Sequence, residues 1–313
     1  MFHSGECLRY GILQHEEEVK EEAMALFQIS NDKITIQVDS FGAELKSLKR
    51  VPEQREYMWH GDPAYWGRTS PVLFPIVGGL KNGTYRVDGK EYAMGQHGFA
   101  RDMEFQLKSQ VASEIWFTLS ASEETLQKYP YPFLLEIGYE LCGCTVVVKW
   151  RVASPTGEPI WFSIGGHPAF LCPIDPGTDQ TQYKLLFDAK TQVVSSCIEG
   201  GLVSKEKKTY ALRNGALPVT ADLFDNDALV IEGDQAHSVA LARPDGSPYL
   251  TVEFDAPLFG VWSPPKKKAP FICIEPWYGR CDSVDFTGDF KEREWGQKLE
   301  GAAFEASYRI TVS

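Results

Sequence analysis

From Ile29 to the C-terminus the chain runs in short bursts of β-branched and aromatic residues, each stopped by a turn signal, and that texture excludes most folds. Residues 34–38, 114–119, 133–141, 144–152, 160–164, 183–187, 238–242 and 249–254 read as strands. Between them fall Asn82-Gly83, Asp88-Gly89, Asn214-Gly215 and Asp245-Gly246, dipeptides that accept the positive φ of tight turns. Asp88-Gly89 separates residues 84–87 from 90–93, and Asp245-Gly246 separates two of the strands above, so both predict hairpins. No stretch after Phe27 keeps a helical period long enough to alternate with the strands, which argues against βαβ units and a parallel sheet. The expected class is mainly β, and so many strands in one chain predict a large single-domain antiparallel β-sandwich.

The one helix-prone run, residues 15–26, is charged and precedes every strand. Residues 1–26 are therefore expected to be an N-terminal extension, helical or disordered, ahead of one sandwich domain over 27–313. Net charge matters for the partner: 31 Lys and Arg against 43 Asp and Glu give −12, which disfavours nucleic acid or an anionic membrane. A small neutral molecule fits better. The three lysines of Pro264-Pro265-Lys266-Lys267-Lys268 predict only a solvated loop. Nothing approaches the length of a membrane span, and the first residues lack the pattern of a signal peptide. Seven scattered cysteines, odd in number and mostly inside apolar runs, predict buried thiols in a reducing compartment, hence a cytoplasmic protein.

One strand candidate carries a charge that needs a reason. In Phe271-Ile272-Cys273-Ile274-Glu275-Pro276-Trp277-Tyr278-Gly279, alternation puts Ile272 and Ile274 on one face and Cys273, Glu275 and Trp277 on the other. Pro276 keeps Glu275 out of the helical region, which predicts an extended glutamate at the strand's end. The plain alternative is a glutamate paired with a nearby arginine.

Two of the six histidines stand in constrained settings. His97 lies in Gly95-Gln96-His97-Gly98-Phe99-Ala100-Arg101, where an extended backbone would put His97, Phe99 and Arg101 on one side. His167 lies in Gly165-Gly166-His167-Pro168, again before a proline and again expected to be extended. Arg68 sits in Tyr65-Trp66-Gly67-Arg68-Thr69-Ser70-Pro71-Val72-Leu73-Phe74-Pro75, where its fork of donors would hold ligand oxygens or brace Glu275.

Taken in order, Phe41-Gly42-Ala43-Glu44-Leu45, Trp66-Gly67-Arg68 through Phe74-Pro75, Gln96-His97-Gly98-Phe99-Ala100-Arg101, Gly165-Gly166-His167-Pro168-Ala169-Phe170 and Cys273-Ile274-Glu275-Pro276-Trp277 resemble the aldose 1-epimerase (galactose mutarotase) superfamily, most closely its LacX-like branch. The resemblance covers the chain from about Phe27 and implies a large antiparallel β-sandwich, a galactose mutarotase-like supersandwich. It places the two histidines of the family on His97 and His167, the general base on Glu275 and the sugar-binding arginine on Arg68. A sugar-holding aspartate falls on Asp225 or Asp227, with Trp277 beside the sugar. A free or phosphorylated hexose is the implied partner, and the chain is expected to be a monomer or homodimer.

Exchanging α and β anomers requires a proton removed from the C1 hydroxyl and one delivered to the ring oxygen. Glu275, ionised at neutral pH if its pKa stays near its reference of roughly 4.3, suits the base. His167 suits the acid and His97 a hydrogen-bond donor to the ring oxygen or a neighbouring hydroxyl. The scheme requires Glu275 and His167 to reach one ring from opposite sides, and it needs no metal or redox cofactor. Competing expectations are a metal-dependent enzyme built on His97, His167 and Glu275, a carbohydrate-binding module without catalysis, and a glycoside hydrolase, which would need a second carboxylate facing Glu275.

Overall fold

The computed structural model describes residues 25–313. The proposed extension over residues 1–26 lies almost wholly outside the described residues, and Leu26 already opens the strand Leu26–Ser30. Twenty-four strands occur among the described residues, against a single short α-helix, Glu123–Lys128. No helix among them is long and apolar enough to cross a membrane.

Two antiparallel sheets dominate. One has nine strands, in the order Ala216–Pro218, Lys184–Phe187, Ser238–Ala242, Pro248–Phe254, Phe304–Val312, Thr145–Ala153, Leu134–Cys142, Glu114–Ser120 and Gln106–Val111. The other has eight: Leu202–Ala211, Gln192–Glu199, Leu229–Glu232, Leu258–Trp262, Phe271–Tyr278, Ile164–Gly166 and Val72–Leu73, with Ala169–Leu171 pairing beside Phe271–Tyr278. One continuous apolar core joins inward residues of both, such as Leu135, Ile137, Val148 and Tyr308 from the first and Val261, Ile272, Ile274 and Ile231 from the second. That is the expected sandwich, each sheet presenting alternate residues to the other. A third sheet of Leu26–Ser30, Ile34–Asp39 and Glu44–Arg50 contributes Ile34, Ile36, Val38 and Leu48 to the same core.

Both predicted hairpins form: Thr84–Val87 pairs with Lys90–Ala93, and Ser238–Ala242 with Pro248–Phe254. Residues 160–164 are not one strand. The Ser163 N–H donates to the Pro75 carbonyl at 2.7 Å, so Ile160–Phe162 pairs with Gln297–Leu299 while Ile164–Gly166 joins the eight-stranded sheet. The cysteine expectation holds for Cys172, Cys273 and Cys281, which are buried, but Cys142 is exposed and Cys144 and Cys197 are half-buried. Cys142 and Cys144 flank the Gly143 hairpin turn, where an apolar run meets solvent.

Candidate active site

The residues singled out for chemistry gather on the outer face of the eight-stranded sheet. Within Phe271–Tyr278, Ile272 and Ile274 enter the inter-sheet core, whereas Cys273 and Trp277 belong to separate outer clusters. Glu275 shares their face. It is an interior residue of an eight-residue strand and not a terminal one, since Pro276 and Trp277 continue the ladder opposite Phe259 and Leu258. Pro276 still keeps Glu275 extended.

Two glycines make room for the floor of the site. Gly165 lies directly opposite Trp277 and Gly260 opposite Glu275 on the flanking strands. A Cβ on Gly165 would come 2.5 Å from Trp277 Cδ1, and one on Gly260 would come 2.4 Å from Trp277 Cη2. The indole therefore lies flat across three strands, in space that any larger residue would take.

His167 follows Ile164–Gly166 and is tied to the next segment by its N–H, which donates to the Pro71 carbonyl at 3.1 Å. Its ring stacks on Trp66 with centroids 4.7 Å apart and meets the edge of Trp262 at 5.4 Å. Its Nε2 lies 3.3 Å from Glu275 Oε2. Both side chains are buried, and Glu275 pairs with no lysine or arginine among the described residues.

His97 departs from its expected conformation. Its φ is +68°, a left-handed geometry that costs a non-glycine residue about 1–3 kcal/mol and is held only where surroundings enforce it. Here the enforcement is reciprocal: the His97 N–H donates to the Gly78 carbonyl at 2.9 Å, and the Gly78 N–H donates to His97 Nδ1 at 3.1 Å. Nδ1 is thus the acceptor, so Nε2 carries the proton and can only donate. Phe99 turns into the core, not toward the site, because Ala100–Asp102 is a 3₁₀ turn and not a strand.

His97, His167, Glu275, Asp227 and Trp277 line one cavity of about 330 Å³, the scale of a small-ligand pocket. Arg101 and Gln96 complete one end, and Trp66, Trp262 and Pro265 form a wall. The loop expected to be merely solvated thus gives Pro265 to the site while Lys266, Lys267 and Lys268 stay exposed. Asp227 lines the cavity and Asp225 does not, which separates two aspartates that spacing could not. Arg68 does not line it either. Its Nη2 donates to Asp102 Oδ1 at 2.7 Å, so it neither braces Glu275 nor presents its fork to the cavity; Arg101 stands there instead. The segment bearing Trp66 and Arg68 is anchored by Glu44, whose Oε1 accepts the N–H groups of Thr69 and Ser70 at 2.7 Å each.

Electrostatics correct the ionisation expected for the base. Burial raises the Glu275 carboxyl well above its usual range, the Asp227 charge pushes it further, and the Trp277 indole opposes both weakly. Burial also lowers His167 to about 3, helped by the charges of Arg101 and Arg68. His97 is likewise held well below its ordinary value by burial and by His167 and the two arginines. Before a ligand binds, burial thus favours the neutral form of each member of the pair. The two groups lie side by side, not on opposite sides of a ring.

Trp262 and Gln96 went unassigned at the level of sequence, as did the anchoring role of Glu44. The last two lay inside stretches already singled out, but Trp262 lies in the strand Leu258–Trp262, which was not among those expected. The metal trio of His97, His167 and Glu275 does not assemble; His167, Cys273 and Glu275 do, with donor atoms within 4.8 Å of one another.

Known proteins share this architecture. A family model described as aldose 1-epimerase matches residues 25–288. The chromosomal protein LacX of Lactococcus lactis subsp. lactis is 32% identical over 296 residues, covering 91% of this chain and 98% of that protein. A galactose mutarotase related enzyme from Lactobacillus acidophilus superimposes with a TM-score of 0.87 at 32% identity, over 92% of this chain and 97% of its own. A galactose mutarotase-like protein from Lactobacillus casei gives a TM-score of 0.84 at 29% identity, over 92% of this chain and 100% of its own. The match runs through every segment that lines the cavity, and on it the chain belongs to the aldose 1-epimerase family.

Proposed function

We propose that the protein is an aldose 1-epimerase that interconverts the α and β anomers of a hexose, free or phosphorylated, through ring opening and reclosure. The observation that carries this is the buried contact of 3.3 Å between His167 Nε2 and Glu275 Oε2, without a neutralising cation, at the wall of a sugar-sized cavity. The pair does not meet the opposite-sides requirement set out above; because the C1 hydroxyl and the ring oxygen are bonded to the same carbon, an acid and a base side by side serve both from one flank of the ring.

The pair holds one transferable proton. With that proton on His167, Glu275 takes the hydrogen of the C1 hydroxyl while His167 protonates the ring oxygen, and the C1–ring-oxygen bond breaks to give the open aldehyde. The pair is then a neutral acid and a neutral imidazole, the state that burial favours and in which it also rests, so transfer of the proton from Glu275 to His167 must precede opening. Rotation about C1–C2 and the reverse transfers close the ring on the other face. His97 Nε2–H donates to the ring oxygen or a neighbouring hydroxyl as charge shifts. Arg101, Gln96 and Asp227 hold hydroxyls away from C1, and Trp277 supplies an apolar face for the ring.

Polarimetry on freshly dissolved α-D-glucose, α-D-galactose and their phosphates tests this. At least one sugar should show accelerated mutarotation, lost in His167→Ala with the fold intact by circular dichroism. Spontaneous rates across the whole panel would leave a binding module in place of an enzyme.

A further inference from the structure

One buried group near the pair has no part in that chemistry. Cys273 is two residues from Glu275 on the same strand face, fully buried against Trp59, Ala169 and Phe271, and absent from the cavity wall. Its sulfur, a nitrogen of His167 and an oxygen of Glu275 nevertheless all lie within 4.8 Å of one another. Glu275 Oε2 and His167 Nδ1 are buried without a hydrogen-bond partner, so the 3.3 Å contact is not a well-formed hydrogen bond. Neighbouring donors about 2.0 Å from a tetrahedral zinc ion stand about 3.3 Å apart. The nitrogen and oxygen already have that spacing, and the sulfur, within 4.8 Å of both, has to approach by no more than about 1.3 Å to reach the roughly 3.5 Å that a sulfur donor needs.

We propose that His167, Cys273 and Glu275 form a three-ligand site for a thiophilic divalent cation of the zinc type, entered from the sugar cavity, with the fourth position open to it. A nitrogen, a thiolate and a carboxylate are a donor set that zinc accepts and that magnesium and calcium do not favour. Binding displaces the thiol proton to solvent. Occupancy also removes both members of the proton pair, so zinc inhibits mutarotation; this consequence rests on the function proposed above, whereas the binding does not.

Cobalt(II) titration of the full chain reads the site directly, because a thiolate ligand gives a near-ultraviolet charge-transfer band. One cobalt per chain with that band is expected, displaced by zinc and indifferent to magnesium. Cys273→Ser should lose the band and weaken binding at least tenfold, since even outer partners of metal ligands carry about 10–100-fold. Cys273→Ala, which buries no hydroxyl, replaces it if the serine variant fails to fold. Cys142→Ser/Cys144→Ser should keep the band; its loss there, or its survival in the Cys273 variants, overturns the site. Zinc should also reduce the wild-type mutarotation rate and a chelator restore it, each Cys273 variant being compared with its own zinc-free rate. Equal inhibition of wild type and variant overturns the link to Cys273. A full cobalt band in a protein inactive on every sugar supports the site and sinks the functional reading.

Discussion

Each of the two large sheets turns a glutamate outward from mid-strand, beside a tryptophan lying on glycine, and the two carboxyls end in opposite states. On the eight-stranded sheet Glu275 sits by Trp277, which covers Gly165 and Gly260. On the nine-stranded sheet Glu136 shares a cleft with Trp116, which covers Gly138, where an added Cβ would come 2.6 Å from the indole. Glu275 is 1% exposed and Glu136 is 3%, but Glu136 lines an open cleft and Glu275 is the more deeply enclosed, so depth separates them and so do cations. Burial alone would raise Glu136, but Lys108 at 2.5 Å and Arg151 at 2.9 Å hydrogen-bond to it and hold it below its ordinary value. Glu275 faces a histidine whose own burial keeps it neutral. Nor does size mark the site: the cleft at Glu136 is about 670 Å³, twice the volume of the one at Glu275. The scaffold offers a similar outward niche twice: Glu136 has a lysine and an arginine beside it and is held low, whereas Glu275 is enclosed without either and is held high.

Replacing each glutamate by glutamine breaks that comparison most sharply. Glu275→Gln should lower mutarotation by about 10²–10⁴-fold, the range for general acid–base groups. Glu136→Gln should leave it unchanged. Stability at pH 7 should move in opposite directions. The folded state binds the Glu275 proton more tightly than the unfolded chain, so its contribution is fully present below about 4.5 and is lost as pH rises through the raised folded value. Glutamine removes that loss and stabilises. Glu136 contributes above about 4.5 and loses its contribution as pH falls through the lowered folded value, so glutamine at pH 7 destabilises. Urea midpoints measured at pH 7 decide, and a shift of the same sign in both variants would sink the account.

The difference between the two niches was only half legible in the sequence. Strand alternation placed Glu275, Cys273 and Trp277 on one face because that rule is local, and the turn dipeptides located two hairpins for the same reason. Exposed edge strands were harder: Gln106–Val111 is exposed throughout and Leu202–Ala211 along most of its length, so neither has an apolar face to announce it. His97 was expected to be extended and is left-handed, because hydrogen bonds to Gly78, nineteen positions away, override the local preference. Arg68 leaves the cavity to Arg101 through its pairing with Asp102, a choice made by tertiary geometry alone. The raised pKa of Glu275 follows first from its enclosure by residues of several strands, with no cation among the described residues to oppose it, and no single stretch of sequence records either.

A smaller and matched lesion tests whether the glycines serve the same purpose on both faces. Gly260→Ala would drive a methyl to 2.4 Å from Trp277, and Gly138→Ala one to 2.6 Å from Trp116. Overpacking of this kind costs typically about 1–3 kcal/mol. Trp116 is only half-buried and can swing outward, whereas Trp277 is 6% exposed and held between strands, so the Gly260 variant should be the less stable. Only Gly260→Ala should also lose activity, by up to about a hundredfold, because a displaced floor misplaces the ring by about an ångström. Equal activity in both variants would remove Trp277 from the sugar-binding surface.

The least disruptive change removes the cations and keeps the carboxyl. In Lys108→Met/Arg151→Met, the Glu136 carboxyl keeps its place in the cleft beside Trp116 while Lys149 remains engaged with Glu114 and Glu140. With its two donors gone, desolvation is unopposed, and the Glu136 carboxyl should titrate above its ordinary value of 4.5 in place of below it, as read from carboxyl carbon shifts by NMR. No activity should appear on that face, because no histidine stands where His167 stands beside Glu275. If Glu136 still titrates low, water entering the cleft is replacing the lost donors, and burial by itself is too weak to raise a sheet-face carboxyl. The raised Glu275 would then owe its state to the enclosure of Trp66, Trp262 and Trp277 around it, and opening that wall with Trp262→Ala should bring Glu275 back toward the ordinary carboxylate range.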